Sequence, residues 1–386
     1  MSMPGSLPLG GSCDARFVAV RDALVRNMTE PSPAGAEVGA AVSIVYEGET
    51  VVDLWAGWRD RARTLPWEKD TITCMMSVGK AVAATCVLRL VDAGRIGLDQ
   101  AVADVWPEFG AAGKAAITLR TVLSHLAGLP FADAAGPGSL YTTGTVTNAL
   151  AAQRPEWEPG STPCYHSFTY GPLCAELVRR VDGRSIGRFL REEIAEPLGV
   201  DYAFGLTDAA LARCADFIET PGTPSLEGIK RNPASPLHRA WRPMPRDEDF
   251  NSRLWRQCEF PSAAGHGNPR GLARLFGALA GGGALRGSRL LSSDLTAEAC
   301  VPRWDGIEWM TQRHFRMGMG FMISSPVFEM GGKPRNFGHG GIGGAIAFGD
   351  PERALGFSYC GNRMAPVADT GPFARALIEA MYASVD

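Results

Sequence analysis

The sequence predicts an α+β protein. One antiparallel sheet, flanked by helices, is built from both ends of the chain, and a mostly helical domain is inserted between them. Three observations carry this expectation. Strand-like segments occur early, at 38–45 and 50–55, and again late, at 318–323, 344–348 and 355–359. The stretch from Asp99 to about residue 200 is helical in pattern, with frequent Pro and Gly breaks. Apolar helices lie close to each terminus, placed to cover a face of such a sheet. The expected boundaries are 1–72 and 265–386 for the sheet domain and 73–264 for the helical domain, with an irregular, lid-like segment at 221–261.

Taken in order, Asp14 can cap a helix that carries Phe17, Val20, Leu24 and Met28 on one face. The first two strands meet at Glu47-Gly48, a hairpin signal. An apolar helical run follows from Ser77, and Gly94 can close it. Segment 221–261 is rich in proline and arginine and carries Trp241, Met244, Phe250 and Trp255. A long segment of this kind is read as a lid, as one wall of a pocket, or as simple packing onto the core. Residues 271–279 form another helix. The last two strands meet at Asp350-Pro351-Glu352-Arg353, and Pro372 opens a terminal helix with Phe373, Leu377, Ile378 and Met381 apolar.

Composition excludes several function classes. The chain has 386 residues, 45% hydrophobic and 20% charged, with a net charge of −3, so neither nucleic acid nor an anionic membrane is expected as a partner. No run of about 18 apolar residues occurs, and the start, Met1-Ser2-Met3-Pro4-Gly5, has no leader pattern. The nine cysteines are an odd number without a Cys-x-x-Cys pair, which points to free thiols in a reducing cytoplasm. The six histidines show neither His-x-x-x-His nor His-Glu-x-x-His spacing, so no metal site and no cofactor are expected.

The chemistry concentrates at Ser77-Val78-Gly79-Lys80. The chain has five lysines, and only Lys80 has a serine three residues before it. On a helix, positions i and i+3 share a face, so the amine can approach the hydroxyl. An amine that loses its proton readily can activate an alcohol for acyl transfer without a histidine base. Lys80 lies in an apolar run, where a charged lysine is costly. A helix N-terminus also offers Ser77 backbone N–H groups for developing negative charge. Tyr165-His166-Ser167 is a second candidate. A tyrosine beside a lysine ammonium is expected to have its phenol pKa lowered, which suits a general base. Read alone, it is equally a surface aromatic on a loop. Residues 337–344, Phe-Gly-His-Gly-Gly-Ile-Gly-Gly, are either a glycine-rich turn or a segment that presents a backbone N–H to a substrate carbonyl. The Gly183-Arg184-Ser185-Ile186-Gly187 match to a nucleophile elbow lacks the strand that motif needs, so Gly183 reads as a helix C-terminus and Ser185 as an N-cap. Trp241, Phe250 and Trp255 are candidates for an apolar wall beside the substrate.

Ser77-x-x-Lys80, Tyr165-x-Ser167 and His339-Gly340-Gly341, in this order, resemble the serine β-lactamase and penicillin-binding-protein superfamily, and more narrowly the family VIII carboxylesterases, close in fold to class C β-lactamases. Leu123–Pro130, Glu196-Pro197-Leu198-Gly199 and Ala263-Ala264-Gly265-His266-Gly267 also fit. The resemblance implies a β-lactamase/transpeptidase-like fold, Ser77 as the acylated nucleophile and Lys80 with Tyr165 as the proton-handling pair. It implies an oxyanion hole from the backbone N–H groups of Ser77 and Ile342, and His166 and Ser167 lining the cleft. Two departures follow. Ser167 stands where β-lactamases usually have asparagine, and His339-Gly340-Gly341 replaces Lys-Thr-Gly, whose lysine helps hold a β-lactam carboxylate. Both weaken a β-lactamase reading and leave ester chemistry intact. The expectation is hydrolysis of short-chain carboxylic esters, a small-molecule partner. β-Lactamase, D-amino-acid amidase or peptidase, and acyltransferase activity are the alternatives on the same machinery, and a degenerate binding protein is the non-enzymatic one. Arg335 or Arg363 could supply the cation that His339 does not.

Overall fold

The computed structural model describes residues 7–30, 35–220, 222–365 and 370–386. The chain start on which the leader expectation rests and Pro221, the first residue of the lid-like segment, lie outside them.

A nine-stranded antiparallel sheet forms the frame. Its spatial order is Leu9–Cys13, Glu49–Gly57, Gly39–Tyr46, Leu355–Gly361, Ile346–Asp350, Phe337–Gly340, Met322–Ile323, His314–Met317 and Trp304–Ile307. The two chain ends join where Gly39–Tyr46 pairs with Leu355–Gly361, from Ala40 opposite Gly361 to Tyr46 opposite Leu355. The strand at 39–46 is mostly apolar and buried from Gly39 to Val45 because both faces are covered. Val42 and Ile44 face one core with Phe17, Val20, Leu24, Leu377, Ile378 and Met381 of the terminal helices Val18–Thr29 and Pro372–Val385 and the short turn before the first. Ala41 and Val45 face the other core, shared with helix Pro269–Ala280 and the helical middle. Asn268 caps that helix by accepting the Gly271 N–H at 3.0 Å.

The helical middle is anchored by Val78–Asp92 and Tyr170–Asp182, which pack together. Gly94 turns the chain out of the first with φ of +68° and Gly183 out of the second with φ of +89°. Ser185 then caps the next helix, accepting the Arg188 N–H and donating to Glu259, so its hydroxyl serves local structure.

Three expectations change. Residues 318–321 form a turn, closed by the Gly318 N–H on the Phe321 carbonyl at 2.8 Å, and only Met322–Ile323 is strand. The glycine-rich Phe337–Gly340 is itself an inner strand of the sheet. Strands Leu9–Cys13 and Trp304–Ile307 are added to the expected set, the first being largely Gly, Ser and Cys. Segment 222–261 packs onto the core. It holds three short helices, Pro224–Lys230, Pro236–Ala240 and Arg253–Gln257. Arg239 ties the middle one to the body through Asp133 and Glu156, with its guanidinium 3.8 Å from the Phe131 ring centre. The nine cysteines are free thiols. Among the described residues, no helix is long and apolar enough to cross a membrane.

Candidate active site

Ser77 is presented by a strained turn. Strand Thr73–Cys74 pairs with Gly265–Gly267, Met75 donates its N–H to the Gly265 carbonyl at 2.9 Å, and Met76 then adopts a φ of +47°. A left-handed methionine directly before the candidate nucleophile is a conformation that surrounding structure must hold in place. Ser77 enters the helix behind it with φ of −66° and is 6% exposed. Two glycines make the approach possible. A Cβ on Gly79 would lie 2.5 Å from the Pro261 carbonyl, and one on Gly341 would lie 2.4 Å from the Met75 carbonyl. Gly79 lets the helix close against residues 261–262, and Gly341 lets the strand end close against the serine turn.

Lys80 is fully buried. Its Nζ donates to Ser77 Oγ at 3.1 Å and to the Ser262 carbonyl at 2.7 Å. Burial holds the ammonium well below the ordinary lysine range. Tyr165 lines the same pocket wall as Ser77. Its phenol, however, is pushed up rather than down. Burial is the largest cause, the Ser77 side chain works against it, and the nearby Glu308 adds to it. The expected lowering by lysine is absent because Nζ lies over the Tyr165 ring, 5.0 Å from its centre, in a site that disfavours the ammonium itself. So the lysine is the group inclined to accept a proton, and the tyrosine hydroxyl the group inclined to keep one.

Ser77, Tyr165 and Ser167 open onto one pocket with Ser225, Leu237, Thr311, Arg313, Phe315, Met322, Phe328 and Gly340-Gly341-Ile342. The pocket holds about 70 Å³, small against the roughly 300–1,000 Å³ of sites for drug-sized ligands. Among the described residues, neither the Ser77 nor the Ile342 backbone N–H has a hydrogen-bond acceptor, so both are available to a substrate oxygen.

Five residues expected at the substrate are elsewhere. Trp241, Phe250 and Trp255 are each 2% exposed or less and belong to the core, where Phe250 and Trp255 pack at 4.8 Å. Trp241 reaches the pocket only by donating its indole N–H to Ser167 Oγ at 2.8 Å. His166 is fully buried, donating from Nδ1 to the Cys164 carbonyl at 2.7 Å and accepting the Leu129 N–H on Nε2 at 3.1 Å. With both nitrogens committed to backbone, and burial taking its pKa down to about 4, it braces the loop that carries Tyr165. His339, within strand Phe337–Gly340, is buried outside the pocket lining, its ring 6.1 Å from that of Tyr165 and its Nδ1 donating to the Gly340 carbonyl at 2.7 Å. Burial first, then Lys80, bring it down to about 3, so it carries no charge at neutral pH. Segment 222–261 reaches the pocket through Ser225 and Leu237 instead. Arg335 pairs with Glu352 and Arg363 donates to the Ala36 carbonyl; the arginine in the pocket wall is Arg313.

Three further residues shape the site. Glu308, fully buried, accepts the Tyr165 N–H at 3.0 Å, the Met310 N–H at 2.8 Å, and both the N–H and hydroxyl of Thr311. Ser262 supplies the Lys80 acceptor. His125, with φ of +60°, accepts the His166 N–H on Nδ1 at 3.0 Å and stacks on Tyr170 at 4.3 Å. No spacing in the sequence marks Glu308 or Ser262, because the contacts that bring them to the site, with Tyr165 and Lys80, span 143 and 182 residues; His125 lies in the Leu123–Pro130 segment. Among the described residues no cluster of side chains could hold a metal ion.

Comparison with known proteins gives the family. The family model described as Beta-lactamase matches residues 21–380. The chain is 33% identical over 363 residues to the Esterase/beta-lactamase LipL of Mycobacterium tuberculosis, covering 92% of this chain and 83% of that protein. The crystal structure of a penicillin-binding-protein homolog from Caulobacter crescentus superposes with a TM-score of 0.88 at 40% identity, covering 98% of this chain and all of the other. A family VIII carboxylesterase superposes with a TM-score of 0.85 at 36% identity, with the same coverage. The chain therefore belongs to the Beta-lactamase family, as a serine hydrolase of the β-lactamase and penicillin-binding-protein superfamily with esterases among its relatives.

Proposed function

We propose that the protein hydrolyses short-chain, uncharged carboxylic esters through an acyl-enzyme on Ser77. The observation that carries this reading is a fully buried lysine, inclined to be neutral, 3.1 Å from Ser77 Oγ at the edge of a small pocket whose wall is largely apolar. Lys80 Nζ takes the Ser77 proton as Oγ attacks the ester carbonyl. The N–H groups of Ser77 and Ile342 stabilise the oxyanion. The protonated Tyr165 hydroxyl donates to the departing alkoxide and regains its proton from Lys80, leaving the acyl-serine. Water enters, the same pair accepts its proton, and the collapse of the second tetrahedral intermediate returns the proton to Ser77 Oγ and releases the carboxylic acid. A neutral, buried His339 supplies no fixed charge for a substrate carboxylate, which favours uncharged esters. Free thiols throughout fit a reducing, cytoplasmic setting.

One observation favours a second reading, β-lactam hydrolysis on the same serine. Arg313 stands in the pocket wall, and the Mycobacterium tuberculosis relative carries both activities in its name. A p-nitrophenyl ester series from acetate to decanoate, assayed beside nitrocefin and a D-amino-acid amide, separates the two. The ester reading expects kcat/KM to peak at the short esters and to exceed that for nitrocefin by at least about 100-fold, which corresponds to about 2.7 kcal/mol of transition-state discrimination. Comparable values would transfer the assignment to β-lactamase.

A further inference from the structure

Gly340 and Phe328 occupy each other's space. A Cβ built on Gly340 would lie 2.6 Å from Phe328 Cε1 and 2.8 Å from Cδ1. The phenyl ring fills the room that any side chain at position 340 would need, and both residues line the pocket next to Ser77. The ring is not free to swing away. Ser325 and Phe328 form a tight turn, with the Phe328 N–H on Ser325 Oγ at 3.3 Å and the Ser325 N–H on the Phe328 carbonyl at 3.2 Å. Phe328 packs on Phe315 at 5.5 Å, and Phe315 lies parallel to Tyr165 at 5.8 Å and 8°. Phe328 is 9% exposed and belongs to the core beneath the sheet.

We infer that Phe328 is the specificity-determining residue of this pocket: its ring, admitted by the absence of a side chain at Gly340, sets the upper size of the substrate group that lies against the strand end. This rests on the ester-hydrolase reading above and adds the residue that imposes its size limit. A ring clamped by Phe315 and its own turn cannot yield to a longer chain, so each added methylene must displace packed atoms.

The test compares Phe328→Ala, Phe328→Leu, Gly340→Ala and the Gly340→Ala/Phe328→Ala double variant. Two substrate series are used: p-nitrophenyl esters of increasing acyl length, and acetates of increasingly large alcohols. In one series Phe328→Ala should raise kcat/KM for the large member relative to the small one by at least about 10-fold, the effect of one methylene in a fitted pocket. Phe328→Leu should give a smaller change in the same direction and covers the case in which alanine fails to fold. Gly340→Ala should depress activity in the wild-type background and much less in the Phe328→Ala background, because its clash partner is gone. Unchanged size profiles in both series, or a Gly340→Ala penalty independent of Phe328, would overturn the inference. If wild-type protein turns over no ester, the ester reading fails separately. The rate at which alkyl phosphonates of increasing length label Ser77 then reads the same size limit, and a limit untouched by Phe328→Ala overturns the inference there too.

Discussion

The Glu308 side chain accepts the backbone N–H of Tyr165 at 3.0 Å across 143 residues of sequence. Its remaining acceptors are used by Met310 and Thr311, so one buried group joins the loop of the candidate proton donor to the pocket wall. Glu308→Gln replaces one acceptor oxygen by an NH2 that must face N–H and O–H donors. Unsatisfied buried donors cost about 1–3 kcal/mol each. The variant should melt markedly lower, and its kcat should fall more than its KM rises as Tyr165 loses its position. A variant with wild-type melting and kcat would remove Glu308 from any positioning role.

Ser77 is expected to carry the covalent adduct after phosphonate treatment, seen by mass spectrometry on its peptide. Ser77→Ala should lower kcat by at least about 10³-fold with the fold kept. Ser185 should stay unmodified, since its hydroxyl is engaged with Glu259 and the Arg188 N–H. An adduct on Ser185 would contradict the assignment.

Lys80 predicts two pH effects of defined sign. Because the neutral amine is the proton acceptor, kcat/KM should rise with pH through a pKa well below 10.5. Lys80→Ala and Tyr165→Phe should each cost about 10²- to 10⁴-fold and combine far less than additively. For stability, the unfolded chain holds the lysine proton over the window between the depressed folded pKa and 10.5 while the native chain does not. Stability from this group therefore increases with pH across that window, and Lys80→Met should flatten the slope in denaturant titrations.

Glu37 carries the opposite sign. Burial pushes its carboxyl from 4.5 up to about 7, against the Tyr359 hydroxyl that donates to it at 2.6 Å. The native state holds this proton when the unfolded state has lost it. Its stabilising contribution is therefore full below pH 4.5 and is lost as pH rises through about 7. Glu37→Gln should remove that decline, on the order of 3 kcal/mol at 1.36 kcal/mol per pKa unit. Equal pH slopes for wild type and variant would show that the carboxyl is ionised in the fold.

Ser167→Ala leaves the buried Trp241 indole N–H without its 2.8 Å acceptor. The expected loss is about 1–3 kcal/mol of stability, and adding Trp241→Phe should recover part of it by removing the orphaned donor. No recovery in the double variant would mean that the serine acts in the pocket rather than as the tryptophan's partner.

The pairing of Ser77 with Lys80 was legible because it is local: helix geometry alone brings residues three apart onto one face. The terminal helices and the sheet drawn from both chain ends were legible from periodicity for the same reason. Ser262 was not, since the Lys80 contact spans 182 residues and leaves no spacing to read. Trp241, Phe250 and Trp255 show a different limit. An aromatic-rich irregular segment has the same composition whether its rings face a ligand or a core, and here the rings took the core while Ser225 and Leu237 took the pocket. Phe337–Gly340 reads as a turn by composition, yet its glycines sit inside the sheet, where Gly338 has the Ala347 carbonyl 2.1 Å from the place of its missing Cβ. The sense of the Tyr165 shift depended on burial, which no motif encodes.

The pairing of Gly39–Tyr46 with Leu355–Gly361 has a consequence for how the protein is made. The first strand is synthesised about 300 residues before its neighbour. At ~5–20 residues per second on the ribosome, it waits roughly 15–60 s with one apolar edge unpaired. During that interval Ser77 already exists, but Ile342, which shares its pocket, does not. Nascent chains that lack the late strands should therefore be hydrolytically silent, and pairing of Leu355–Gly361 with Gly39–Tyr46, rather than emergence of the serine, becomes the event that switches the enzyme on.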